Sequence, residues 1–208
     1  MPHGHRHHSH KLFDPASAHK LEDPERPTWM PPSDVLSHLA LKTANDVADI
    51  GAGTGYFAVP IARAVAPGQV YAVDLQPQML KLLEQKLGAA DPQDPQRAAA
   101  PDNITLVEGD ASATTLPDAS VDVALLANMW HEIDDHALVL REVSRILRQH
   151  GRLAILDWRP DVDRPPGPPL EFRIAAAEVT RTLEQQGWRV TMNTGIGTYS
   201  YLLLAERH

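Results

Sequence analysis

The feature that most constrains this chain is an alternation: five short runs rich in Val, Ile and Leu, interspersed with four segments of helical period. The runs are "DVADIGAG" (46–53), "QVYAVDL" (69–75), "ITLVEGD" (104–110), "VDVALLANMW" (121–130) and "RLAILDW" (152–158). Strands this apolar are buried on both faces, and parallel neighbours need a crossover between them, which the helical segments supply. Repeated βα units around a parallel sheet follow. The pattern predicts helices from about Gly55 to Ala66, Pro77 to Gly88, Asp134 or Asp135 to Gly151, and Leu170 to Gln186. At the end, "WRVTMNT" and "TYSYLLLAE" flank a "GIG" turn at 195–197, too short a link for anything but antiparallel pairing.

The 208 residues suit one globular unit with an appended arm. Residues 1–33 form a His/Pro-rich arm, partly disordered or lid-forming, and 34–208 the folded domain. Six of the 18 prolines fall in the arm, and "DPERPTWMPP" (23–32) is too proline-rich for a regular helix. A formal charge of -8 disfavours a nucleic-acid partner. The absence of cysteine excludes disulfides, thiolate zinc sites and cysteine nucleophiles. Apolar runs such as "VALLA" and "YLLLA" are too short to span a membrane, and a cytoplasmic location is expected. The start, "HGHRHHSH", carries His3, His5, His7, His8 and His10; adventitious metal binding is expected there, without a defined metal site.

Strand-to-helix turns at the carboxyl edge of a parallel sheet are where open α/β folds bind ligands. Gly51, Gly53 and Gly55 lie in the first such turn, "DIGAGTGYFA", where bare backbone lets a ligand approach the chain and its N–H groups. The spacing G-x-G-x-G differs from the dinucleotide pattern G-x-G-x-x-G, and Asp49 just ahead of it would repel a pyrophosphate. The same carboxylate would attract an ammonium. Asp74, after the second strand, can accept from two ribose hydroxyls, and Asp110, after the third, from an exocyclic adenine amine.

With these residues in order, "DIGAGTGYF", "YAVDLQPQML", "VEGDA", "NMWHEIDD" and "EVSRILRQHGRLAILDW" resemble successive motifs of class I S-adenosylmethionine-dependent methyltransferases, in particular the small ubiquinone/menaquinone-biosynthesis-like (type 11) group. The resemblance covers roughly residues 35–208. It implies a Rossmann-like α/β fold: a seven-stranded, mostly parallel sheet with an antiparallel C-terminal hairpin and helices on both faces. It implies S-adenosylmethionine as cofactor, with Asp49 near the methionine amine, Gly51, Ala52, Gly53 and Gly55 beneath methionine and ribose, Asp74 and Leu75 at the ribose, and Gly109, Asp110 and Ala111 at the adenine. Asn128 would border the cofactor through backbone atoms. Where relatives end the fourth helix with proline and two glycines, Gln149, His150 and Gly151 stand here, Gly151 supplying the left-handed cap.

Methyl transfer to a small-molecule acceptor by in-line displacement needs alignment and, for a weak nucleophile, a base. His131, after the fourth strand, is the candidate base, and plant-type O-methyltransferases place a histidine similarly. It equally fits a role in packing the next helix. Glu132 is expected to face solvent. Trp29, from the arm, and Trp158 are candidate substrate-lining residues, beside Arg26, Arg159, Phe172 and Arg173. The alternatives are a non-catalytic metal-binding or scaffolding protein on the same fold and a nicotinamide-dependent oxidoreductase.

Overall fold

The computed structural model describes residues 13–89, 100–162 and 166–207; the histidine-rich start lies outside the described residues. Seven strands form one sheet: β1 (Val47–Ile50), β2 (Val70–Asp74), β3 (Ile104–Glu108), β4 (Val121–Ala127), β5 (Leu147–Trp158), β6 (Trp188–Ile196) and β7 (Ser200–Arg207). Their order is β3-β2-β1-β4-β5-β7-β6. β1 to β5 pair in parallel, and β7 runs antiparallel to both β5 and β6. This is the α/β architecture expected from the sequence. The order reverses between β1 and β4, and the crevice at such a switch point is where a ligand is expected.

Alternate residues of the strands feed two cores. Val47, Val123, Leu125 and Leu156 pack on one side with Val35, Leu39, Ile61, Val65 and Leu83, from α2 (Pro32–Leu39), α3 (Ala58–Val65) and α4 (Pro77–Gly88). Ala48, Ile50, Ala124, Leu126 and Ile155 point the other way, to Val139, Val143, Ile146, Val179 and Leu183 of α5 (His136–Ile146) and α6 (Ala176–Gln185). The side-chain period of two puts apolar residues on both faces, so the central strands read as unbroken hydrophobic runs.

Several boundaries differ from the sequence expectation. The arm holds helix after all: a 3-10 turn spans Pro15–Glu22, α1 is Arg26–Trp29, and α2 follows from Pro32. Pro15, Pro27 and Pro32 sit at helix starts, where the missing N–H has no intrahelical partner to lose. α3 starts at Ala58, after turns that occupy the glycine segment. α5 is capped by the Asp135 side chain but ends at Ile146, and the left-handed residue nearby is His150 (φ 65), not Gly151. The β4–β5 pairing steps from Val121–Leu147 to Val123–Arg152, and within that step Arg148 reaches Asp46 and Asp122 at 2.7 and 2.9 Å. The helix expected from Leu170 is split. Buried Arg173 lies extended between a 3-10 turn (Leu170–Phe172) and α6, its guanidinium held by the carbonyls of Arg159, Pro166 and Pro168. The hairpin turn occupies residues 197–199, two residues later than expected.

Candidate active site

The carboxyl ends of β1, β2, β4 and β5 open into a cavity of about 1000 Å³, with the arm across it. Asp49, Gly51, Ala52, Gly53, Asp74, Leu75, Gly109, Asp110, Ala111, Asn128, His131, Trp29 and Trp158 all line this one space. Gly55 does not. It turns at φ +79 behind the cavity, where a Cβ would run into the Leu83 side chain, so its role is to let α4 pack against the loop.

The loop itself differs from a phosphate cradle. Gly51 and Ala52 donate to Val73 O at 2.8 and 3.0 Å, Gly55 donates to Ala52 O at 2.9 Å, and Gly53 donates to Asp74 Oδ2 at 2.8 Å. These four N–H groups are spent inside the protein and are not offered to a ligand, unlike the free amides the sequence suggested. What the loop presents is close backbone approach: at Gly51 (φ +74) an added Cβ would meet Met129 Sδ at 2.7 Å. The donor in Gly53 serves instead to aim a carboxylate.

Asp74 accepts one backbone bond on each oxygen, Gly53 N on Oδ2 and Gln76 N on Oδ1, at 2.8 and 2.9 Å. Each oxygen keeps a lone pair, the capacity a vicinal diol needs. Burial raises its pKa, partly offset by those two bonds. Asp49 is 2% exposed, and burial pushes its pKa up to about 7 despite the Ala58 N–H it accepts; the Asp74 charge adds to the rise and Arg26 opposes it. A buried carboxylate short of compensating charge is a site prepared for a cation. Asp110 is exposed, with Oδ1 taken by the Ser112 N–H and hydroxyl at 2.8 and 2.5 Å.

His131 is 7% exposed in a 3-10 turn (Trp130–Glu132) after β4. Its Nδ1 lies 2.8 Å from Asp157 Oδ1, and its backbone N–H donates to Asp157 Oδ2 at 3.0 Å. Asp157 Oδ1 also accepts from Trp158 N, so both of its oxygens serve as acceptors. That fixes the ring with Nδ1–H toward Asp157 and a lone pair on Nε2. Burial opposes protonation of the ring, but the bond and charge of Asp157, with Glu132, outweigh it and the pKa is raised. Glu132 is not the solvent-facing residue expected. It is half-buried in the cavity wall, its Oε1 3.8 Å from His131 Nε2, and burial raises its pKa.

Asp157 was missed by sequence reasoning, although it sits one residue before Trp158 at a strand end. Asn128 stands in the left-handed region (φ 57), where a non-glycine residue is strained, and its Nδ2 donates to Met30 Sδ at 3.3 Å. Trp29 packs on Trp158 with ring centroids 5.8 Å apart. Of the other candidate lining residues, Arg159 pairs with Asp161, and Arg173 donates to the carbonyls of Pro166 and Pro168.

A methyltransferase-domain family model matches residues 48–155. A SAM-dependent methyltransferase structure from Aquifex aeolicus is 30% identical and superposes with a TM-score of 0.83, over 93% of this chain and 98% of that one. The chain belongs to the class I S-adenosylmethionine-dependent methyltransferase family. Further relatives are a demethylmenaquinone methyltransferase of Geobacillus kaustophilus, 27% identical over 71% of this chain, and an uncharacterized methyltransferase of Mycobacterium bovis, 37% identical over 63%. The chain spans 62% and 46% of the length of those two relatives. Family membership and the spent loop amides both set this methyltransferase domain apart from nicotinamide oxidoreductases. No cluster of potential metal ligands occurs among the described residues, and none of their helices is long and apolar enough to cross a membrane.

The cavity suits the family's cofactor on its own chemistry. A sulfonium bearing an ammonium and a ribose diol calls for carboxylates without guanidinium partners. Asp49, Asp74 and Glu132 provide them around one space.

Proposed function

We propose that this chain methylates a small, largely apolar acceptor bearing an ionisable hydroxyl, with Asp49 and Asp74 holding S-adenosylmethionine and His131 acting as base. The observation that carries this reading is that the buried His131–Asp157 pair opens on the same cavity as Asp49 and Asp74. When bound, the cofactor supplies an electrophilic methyl group whose sulfur departs with the C–S electron pair. Asp49 takes the ammonium and Asp74 the ribose hydroxyls, while Gly109, Asp110 and Ala111 border the adenine. Asp157 keeps Nδ1 protonated, so His131 Nε2 is the nitrogen free to take the acceptor's proton as its oxygen attacks. Residues 13–30, with Pro166, Gly167 and Pro168, exclude water from this step.

The acceptor end favours a flat apolar molecule. Trp29, Trp158, Ile133, Leu138, Pro166 and Pro168 are among the residues that line the cavity. Relatives named demethylmenaquinone methyltransferases are in keeping with a flat apolar acceptor, demethylmenaquinone being a quinone. The charge of -8 and the acidic cavity argue against nucleic-acid substrates, and a cysteine-free chain is at home in the cytoplasm. The experiment is titration calorimetry with S-adenosylmethionine, followed by transfer of labelled methyl to a panel of hydroquinones, phenols, amines and thiols. Cofactor binding with labelling confined to aromatic hydroxyls is expected. Binding of NADH in place of the cofactor, or labelling of amines alone, would overturn the reading.

A further inference from the structure

A buried cation in the arm has no anionic partner. Arg26 is 7% exposed and lines the cavity that also holds Asp49. Its guanidinium stacks on the Tyr56 ring, 3.8 Å from the centroid. Among the described residues its one hydrogen-bond acceptor is Leu21 O, 2.9 Å from Nη1, and no carboxylate forms an ion pair with it. Glu22, whose charge acts on Arg26, is engaged with Lys86 at 3.0 Å. A guanidinium carries five N–H donors in a planar fork, and burying it with most of them unused is costly unless a ligand completes the set.

The stack on Tyr56 fixes the plane of the fork, and Tyr56 is itself fixed, its hydroxyl donating to Met30 O at 2.6 Å. Arg26 and Asp49 each feel the other's charge, yet they do not pair. Two opposite charges that line one cavity without pairing match a zwitterion lying between them.

We propose that Arg26 receives the α-carboxylate of the cofactor's amino-acid end while Asp49 receives its ammonium, so that the cavity selects an α-amino acid. This rests on the reading of the cavity as the S-adenosylmethionine site. Arg26 belongs to an arm seated by several contacts: Gln76 Nε2 donates to Phe13 O at 2.9 Å, Lys86 holds Glu22, and Trp29 packs on Trp158. Engagement of Arg26 by the carboxylate therefore ties cofactor binding to the arm that covers it.

The test is binding, not turnover. Affinities of the full chain and of Arg26→Met are measured by calorimetry for S-adenosylmethionine and for its decarboxylated analogue, which keeps the sulfonium, the amine and the adenosine. The wild type is expected to favour the full cofactor by about 10- to 100-fold, the range of a charge-assisted hydrogen bond or two. In Arg26→Met that preference collapses while affinity for the analogue is retained, which also shows the variant to be folded. An equal preference in both proteins overturns the assignment. So does a variant that loses both ligands alike, since Arg26 would then be a strut of the arm. If the wild type binds neither ligand, the cofactor reading itself falls, an outcome distinct from the other two.

Discussion

The two edges of the sheet carry the same residue type and treat it in opposite ways. At the amino edge, Asp46 and Asp122 are bridged by Arg148 and also accept backbone N–H groups from Gln69 and Asp46 at 2.9 and 2.8 Å. Away from the edges, Glu142 is held down to about 2 by Arg145 and Thr114. At the carboxyl edge, Asp49 rises to about 7, and Asp74 and Glu132 are raised too, because burial is not answered by a paired cation. An acidic residue by itself says nothing of function; a buried acidic residue whose charge the protein leaves unanswered does.

The largest effect should come from the base at the carboxyl edge. His131→Ala is expected to lower kcat by about 10²–10⁴-fold with the cofactor's Kd nearly unchanged. Asp157→Asn gives a smaller loss and a diagnostic shift. The raised His131 pKa makes the rate climb with pH as the ring loses its proton; without the Asp157 charge that limb moves to lower pH. A pH–rate profile of the two proteins checks this, and coincident limbs would reduce Asp157 to packing.

Asp49→Asn comes next and joins both sides of the comparison. Loss of the ammonium's partner should weaken cofactor binding by about 1.5–3 kcal/mol, read by calorimetry. In the wild type, affinity should also fall below about pH 7 as Asp49 takes up a proton. Stability moves the other way. A folded-state pKa near 7 against 3.8 unfolded means that the native state holds the proton more tightly, so the wild type loses stability as pH rises from about 4 to 7. The asparagine variant escapes that loss, up to about 4 kcal/mol in the cofactor-free protein. Denaturant midpoints that converge above pH 7 would contradict the burial argument. Asp46→Asn, at the other edge, should lower stability and leave Kd alone.

How much of this was legible in the sequence depended on whether a strand end or a long-range contact fixed the residue. Asp49 lies near the end of β1, Asp74 ends β2 and Asp110 follows β3, and in a parallel sheet strand order alone brings such residues to one edge. Asp157 instead meets His131 across 26 residues, through the β4–β5 register, and "LDW" looks like any strand end. Arg26 was legible as a cation among prolines that could line the site. Its stacking on Tyr56, 30 positions along the chain, was not. The glycine pattern was read correctly as a tight turn, but glycines look alike whether their amides face a ligand or, as here, Val73 O and the Asp74 carboxylate. The end of α5 was hidden because Leu147 continues its apolar period while already pairing with Val121.

The smallest effect belongs to the amino edge. Arg148→Met removes a bridge whose guanidinium is 39% exposed, and exposed pairs contribute about 0–1 kcal/mol. Asp46 and Asp122 keep their backbone donors after the change, so neither is left buried and bare. The expected loss is therefore about 1 kcal/mol or less, measured by denaturation, with cofactor affinity unchanged. It should shrink further in about 1 M salt, where charges are screened beyond about 3 Å. A loss that salt does not touch would mean that Arg148 acts by filling the step in the β4–β5 ladder and not by its charge. The two edges would then differ in packing before they differ in electrostatics.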